Sequence, residues 1–230
     1  MASRESKLQR QRLQPKSKRR NGTSPFLAAV ALLIAVSLFA GGFYLGFRKG
    51  VAVRRRASNI LLVNAEHPLS PDYVPDELVC LYEMKHAFRL SRSNISLTAS
   101  TSLAAQEMFK AAEDDNVNGF YITSGYRSYE RQAEVFAESR EGYAQKPGCS
   151  EHQTGLCFDV TAENSGGFEN TPQYAWLRQN AHKYGFIQRY PANKAQITGI
   201  SYEPWHYRYV GVEAATEMYK NNLTLEEYLN

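Results

Sequence analysis

The chain has 230 residues, room for one ordinary domain and an appendage, and its formal charge of +4 conceals a division. Residues 1–56 hold thirteen Lys/Arg and a single acid, Glu5, a balance of +12; residues 57–230 hold fourteen Lys/Arg and twenty-two Asp/Glu, a balance of −8. A nucleic-acid partner is therefore excluded as the meaning of the basic pI, because the positive charge flanks an apolar segment and the remainder is acidic.

In chain order, residues 1–25 read as a basic cytoplasmic tail. The stretch "FLAAVALLIAVSLFAGGFYLGF", residues 26–47, has no charge for twenty-two residues. That length crosses a hydrocarbon core of about 30 Å and predicts a transmembrane helix. It exceeds the apolar region of about 7–15 residues found in a cleaved signal peptide. Eight Lys/Arg precede the span and five follow it, which favours a cytoplasmic N-terminus and an external domain in the cell membrane. Residues 48–58 form a short basic linker, and residues 59–230 the domain.

Within the domain, "NILLVN" (59–64) is predicted as a first strand, followed by a Pro-punctuated extended stretch. Apolar spacing predicts a helix over 102–114, and "NGFYIT" (118–123) a buried strand that ends at Ser124-Gly125. A helix over 129–140 follows. "TPQYAWLRQNAHKYG" carries a full helix signature, with Thr171 as N-cap, Pro172 at the first helical position and Gly185 after the last turn. Thr224 and Glu227 have the spacing of a capping box. Short strands and helices alternate without a βαβ rhythm, which predicts an α+β fold. Three cysteines, Cys80, Cys149 and Cys157, do not make a disulfide framework; free thiols are expected, with a Cys149–Cys157 bridge across the hairpin described below as the alternative.

The chemistry concentrates in two stretches. In "SEHQTGLCFDV" (150–160), a helix would set His152 and Asp159 about 10.5 Å apart along its axis, too far for two ligands each about 2 Å from one ion. A hairpin that turns at Gln153, Thr154 and Gly155 and continues along Leu156, Phe158 and Val160 brings them together. In "YEPWHYRYVG", Glu203 stands three residues before His206. A catalytic zinc takes three protein ligands and keeps a position for water. His152, Asp159 and His206 make such a set, and Glu203 beside it has the chemistry of a general base. His67, His86 and His182 are expected to be ordinary surface or core residues. Arg127, after Ser124-Gly125, sits where a strand-to-helix turn projects a forked cation suited to a carboxylate or an oxyanion.

Together "SGYRSYERQ", "SEHQTGLCFDV", "NAHKYGFIQRYP" and "YEPWHYRYVG" resemble the zinc D,D-carboxypeptidases of the VanY type, with related D,D-dipeptidases and L,D-carboxypeptidases. The resemblance covers about residues 59–229. It implies the compact α+β domain shared with the Hedgehog signalling domain, a small antiparallel sheet with flanking helices. It also implies Zn²⁺ on His152, Asp159 and His206, Glu203 as base, Arg127 at the scissile carbonyl or terminal carboxylate, and Gln132 and Ser150 in the substrate pocket. The expected activity is removal of the C-terminal D-alanine from peptidoglycan stem peptides. The rivals are L,D-carboxypeptidase action on the tetrapeptide stem and a non-catalytic wall-binding module. One departure stands out: Cys157 occupies a position where the family usually has a small apolar residue, often Ala, and in a regular strand it points to the same side as Asp159. No feature of the sequence specifies an oligomeric state.

Overall fold

A computed structural model describes residues 60–140, 144–163 and 166–230. The tail, apolar span and linker expected over 1–25, 26–47 and 48–58 lie outside the described residues, among which no helix is long and apolar enough to cross a membrane. The described residues form a mixed α+β domain, as the irregular alternation of elements predicts.

The elements run β1 (Leu78–Cys80), β2 (Arg89–Leu90), β3 (Ser96–Thr98), α1 (Ala99–Asp114), β4 (Phe120–Ser124), α2 (Tyr129–Glu138), β5 (Cys157–Ala162), α3 (Pro172–Asn180), β6 (Phe186–Tyr190), α4 (Ala195–Thr198), β7 (Glu203–Tyr209), α5 (Val212–Asn221) and α6 (Leu225–Leu229). Strands β1 and β3 pair by themselves, and the main sheet has the order β2-β4-β5-β7-β6. It is antiparallel throughout except at the β2–β4 edge, where the short β2 runs parallel to its neighbour. The all-antiparallel expectation is corrected to that extent.

Caps behave as their residues dictate. The Thr171 side chain accepts from the Tyr174 N–H, with Pro172 at the first position, where the lack of an N–H costs nothing. Gly185 takes the left-handed conformation after the last turn, at φ +86°. Thr224 and Glu227 form a reciprocal capping box. Ser128 caps α2 by accepting from the Arg131 N–H. The stretch "NILLVN" corrects a sequence expectation, since Leu61, Leu62 and Val63 form no strand. The Leu61 carbonyl instead accepts from Arg208 Nη2 at 2.7 Å, and Val63 is fully buried.

The alternation along β4 and β5 explains which face is which. Phe120 and Ile122, with Phe158 and Val160, turn to a core that α1 closes with Phe109. Phe109 lies 4.8 Å from Phe120 and 5.7 Å from Phe158, and Phe158 lies 5.3 Å from Phe186, centroid to centroid. Each such ring contributes about 1.5–3 kcal/mol through burial. Cys157 and Asp159, on the alternate positions of β5, therefore face the other side of the sheet.

Candidate metal centre

Four segments converge on that opposite face. Asp159 of β5 is registered against His206 of β7, and Cys157 against Arg208. His152 arrives from a single 3-10 turn, Glu151–Thr154, and not from a hairpin strand as the sequence reading has it. That turn ends at Gly155, whose left-handed backbone (φ +65°) swings the chain into β5 and whose missing Cβ would stand 3.0 Å from Leu78 Cδ2. The brought-together pair is as expected; the local geometry that does it is tighter than a hairpin.

The donors are oriented from behind. His152 Nδ1 lies 2.8 Å from the Gly125 carbonyl, so it carries the proton and donates, which turns Nε2 toward Asp159 Oδ2 at 3.3 Å. Gly125 is needed for this approach, because a Cβ there would lie 2.6 Å from the Ser96 carbonyl oxygen. His206 Nε2 faces Glu151 Oε2 at 3.3 Å and donates to that ionised carboxylate, leaving Nδ1 at 3.0 Å from Asp159 Oδ1. Two donors each about 2.0–2.1 Å from a tetrahedral zinc are about 3.3 Å apart. The two His–Asp separations, made to different oxygens of Asp159, are of that size, so these residue types and spacings are compatible with the ion. Cys157 Sγ and a ring nitrogen of each histidine also lie within 4.8 Å of one another.

Electrostatics agree. Burial opposes charge on His152, but Cys157 and Asp159 beside it outweigh burial and hold its pKa at about 9. Burial likewise opposes the Asp159 carboxylate, and the two histidines hold it far below the ordinary carboxylate range. Cys157 is pulled down to about 7 by the same histidines, against burial. The crowding makes the two imidazoles hold their protons more tightly and the Asp159 and Cys157 side chains give theirs up more readily, and a divalent cation bound here would take the place of the imidazole protons.

Glu203 opens β7, with Oε2 3.7 Å from His206 Nδ1. Simple alternation would send residues 203 and 206 to opposite faces. The ladder is irregular here, Gln188 standing opposite Tyr207 but Tyr190 opposite Glu203, and Glu203 and His206 both line the cleft. Burial raises its carboxyl pKa, with His206 opposing. Arg127 lies in the turn between β4 and α2, where Nη1 donates to Gln132 Oε1 at 2.7 Å and Nη2 to Ser124 Oγ at 3.2 Å. Gln132 is fully buried and also donates to the Gln145 carbonyl at 2.6 Å, which locks the guanidinium plane. Ser150, Arg127, Gln132, Glu203 and the donors all line one cavity of about 520 Å³. The remaining histidines stay outside it; His182 stacks on Tyr219 at 3.8 Å and His86 on Phe88 at 4.6 Å.

The residue that sequence reasoning missed is Glu151. It is 1% exposed, and its Oε1 accepts from Arg189 Nε at 2.8 Å and from Arg208 Nη1 at 2.7 Å. Arg189 in turn donates to both oxygens of Glu226, at 2.9 and 2.5 Å. An acid beside a candidate ligand was visible in "SEH"; its two arginine partners, 38 and 57 residues away, were not. All three cysteines are free in this structure.

The family model for VanY, D-alanyl-D-alanine carboxypeptidase, matches residues 94–212. A D-alanyl-D-alanine carboxypeptidase of Enterococcus faecium is 38% identical over 175 residues, which are 75% of this chain and 57% of that protein. The putative carboxypeptidase YodJ of Bacillus subtilis is 39% identical over 194 residues, 78% of this chain and 70% of the relative. The chain thus spans under two thirds of the Enterococcus faecium relative's length. Among solved structures, the LD-carboxypeptidase LdcB superposes with a TM-score of 0.65 at 38% identity, covering 73% of this chain and 83% of that one. The D,D-pentapeptidase VanY of a VanB-type vancomycin-resistance cassette, in complex with Zn(II), gives a TM-score of 0.62 at 38% identity, covering 74% and 98%. With the profile match over residues 94–212 and the shared fold, this chain belongs to the VanY D-alanyl-D-alanine carboxypeptidase family.

Proposed function

We propose that this protein is a membrane-anchored zinc exopeptidase that removes the C-terminal D-alanine from peptidoglycan stem peptides. The observation that carries the reading is the meeting of His152, Asp159, His206, Glu203 and Arg127 in one cleft. His152 Nε2, Asp159 and His206 Nδ1 would hold the zinc. When bound there, such an ion would supply Lewis-acid chemistry, bringing the pKa of a water toward neutrality. Glu203 takes a proton from the water as its oxygen bonds to the penultimate residue's carbonyl carbon, and delivers it to the D-alanine nitrogen as the C–N bond breaks. Arg127, braced by Gln132 and Ser124, pairs with the free carboxylate of the chain end or with the developing oxyanion. Ser150 and Gln132 shape the pocket for the terminal residue.

Incubation of the purified full-length protein with a stem pentapeptide and a tetrapeptide, followed by mass spectrometry, tests this. The expected result is loss of one D-alanine from the pentapeptide. The likeness to LdcB supports a second reading, L,D-carboxypeptidase action, which cleavage of the tetrapeptide alone would establish. Arg127→Ala is expected to raise KM and lower kcat together, and the wild type to cleave the free acid far better than a C-terminal amide. Equal cleavage of acid and amide would replace the exopeptidase with an endopeptidase.

The metal reading has its own check. The full-length protein is expected to bind about one zinc, as a three-ligand site requires, and His152→Ala or His206→Ala to lose most of it. Full zinc content in both variants would remove these residues from the ligand set.

The apolar span over 26–47 and its basic flanks support a single anchor with the N-terminus in the cytoplasm and the catalytic domain at the outer face of the cell membrane, beside the wall. A reporter fused after Asn230 is expected to work only if it matures outside the membrane; cytoplasmic activity of the fusion would reverse the orientation.

A further inference from the structure

Cys157 has no part in the hydrolysis described above. A buried cysteine is most often a small apolar filler, and its neighbours are then hydrocarbon. Here the surroundings are different. The Cys157 side chain is fully buried on the face of β5 that carries Asp159, directly across the ladder from Arg208. Its Sγ forms a cluster with one ring nitrogen of His152 and one of His206, all within 4.8 Å of one another. Two imidazoles and a sulfur at this separation make a donor set that suits Zn²⁺ and softer ions.

We propose that Cys157 is a further donor to the ion held by His152 and His206, so that the two imidazoles serve two anionic donors, the Asp159 carboxylate and the Cys157 thiolate. The inference rests on the zinc reading of the cleft. When the sulfur coordinates, an S–H bond is exchanged for a metal–sulfur bond and the proton passes to solvent, with no change of oxidation state. A thiolate shifts the preference of the centre toward soft ions. Catalytic zinc sites keep one position open and structural sites fill all four. Zinc also accepts five donors, so the added sulfur would tighten metal retention relative to Ala while leaving a position for the water of the proposed hydrolysis.

Cobalt(II) and cadmium(II) serve as probes in the full-length protein. The wild-type Co(II) form is expected to show visible ligand-field bands and, in the near ultraviolet, an intense sulfur-to-cobalt charge-transfer band. Cys157→Ala introduces the residue often found here in the family pattern, and is expected to fold, keep the visible bands and lose the charge-transfer band. In competition with a chromophoric chelator, Cys157→Ala is expected to bind Cd(II) at least about tenfold more weakly, since even the loss of a ligand's outer partner costs about 10–100-fold. Visible bands in both proteins with no charge-transfer band in the wild type would overturn the role of Cys157 and leave the histidine–aspartate centre standing. Absence of cobalt binding by the wild type would overturn both.

Discussion

Glu203→Gln is expected to retain zinc and to lose hydrolysis of the stem peptide by about 10²-fold or more, the scale of a removed acid–base group. The substitution keeps the shape of the side chain and removes only its capacity to take a proton. Glu203 is not one of the two side chains that bracket Asp159 at ligand-edge distances; its nearest carboxylate oxygen stands 3.7 Å from His206 Nδ1, beside the donors and open to the cleft. Metal content measured with kcat separates the roles. Near-normal turnover would move the base elsewhere, and loss of zinc would make Glu203 a ligand. The pH profile follows from the same environment. Burial raises the Glu203 pKa, and only the ionised form accepts a proton, so activity is expected to fall as pH drops through that raised value.

The second large effect concerns stability. Glu151→Ala is expected to cost about 3–5 kcal/mol, because it strands buried guanidinium groups that share one carboxylate. Arg189 and Arg208 are both essentially inaccessible to solvent, and Glu151 Oε1 accepts from each. Glu226 still neutralises Arg189, while Arg208 retains the Leu61 carbonyl. Denaturant unfolding measures the loss, and a change below about 1 kcal/mol, the value of an exposed pair, would show the network to be dispensable. The sign of the pH dependence follows. Burial alone would raise the Glu151 pKa, but Arg208 and Arg189 overcome it and hold the group far below the carboxylate range. A depressed folded pKa gives stability that is complete above the unfolded value of about 4.3 and is lost as pH falls from there toward the folded value. Wild type is expected to lose stability across that acid window, and Glu151→Gln to show a flatter profile. Glu151→Ala also removes the acceptor that sets the His206 tautomer, so weaker metal binding should accompany it.

The chemistry of the cleft was legible in the chain because donor types and short spacings are local facts. A histidine and an aspartate seven residues apart need a turn between them, Thr171-Pro172 opens a helix, and Glu203 stands three residues before His206. Turn residues and caps act through their own backbone, so their signals survive without a fold. What failed or was missing depends on partners distant in sequence. The apolar run at residues 60–63 looks like a strand, yet its Leu61 carbonyl is taken by Arg208 rather than by a ladder. Glu203 and His206 line one cleft although three residues apart on β7, whose ladder with β6 is irregular between them. His152 rides a 3-10 turn whose place is set by Gly125 and Gly155 packing against the β1–β3 ribbon and its flanks. The Arg189–Glu151–Arg208 network joins residues 38 and 57 apart, and only tertiary packing decides that such charges end up buried together. Residue types and local spacing carry the reagents, whereas register, bulges and buried ion pairs are long-range products of burial, which aim the reagents at one point.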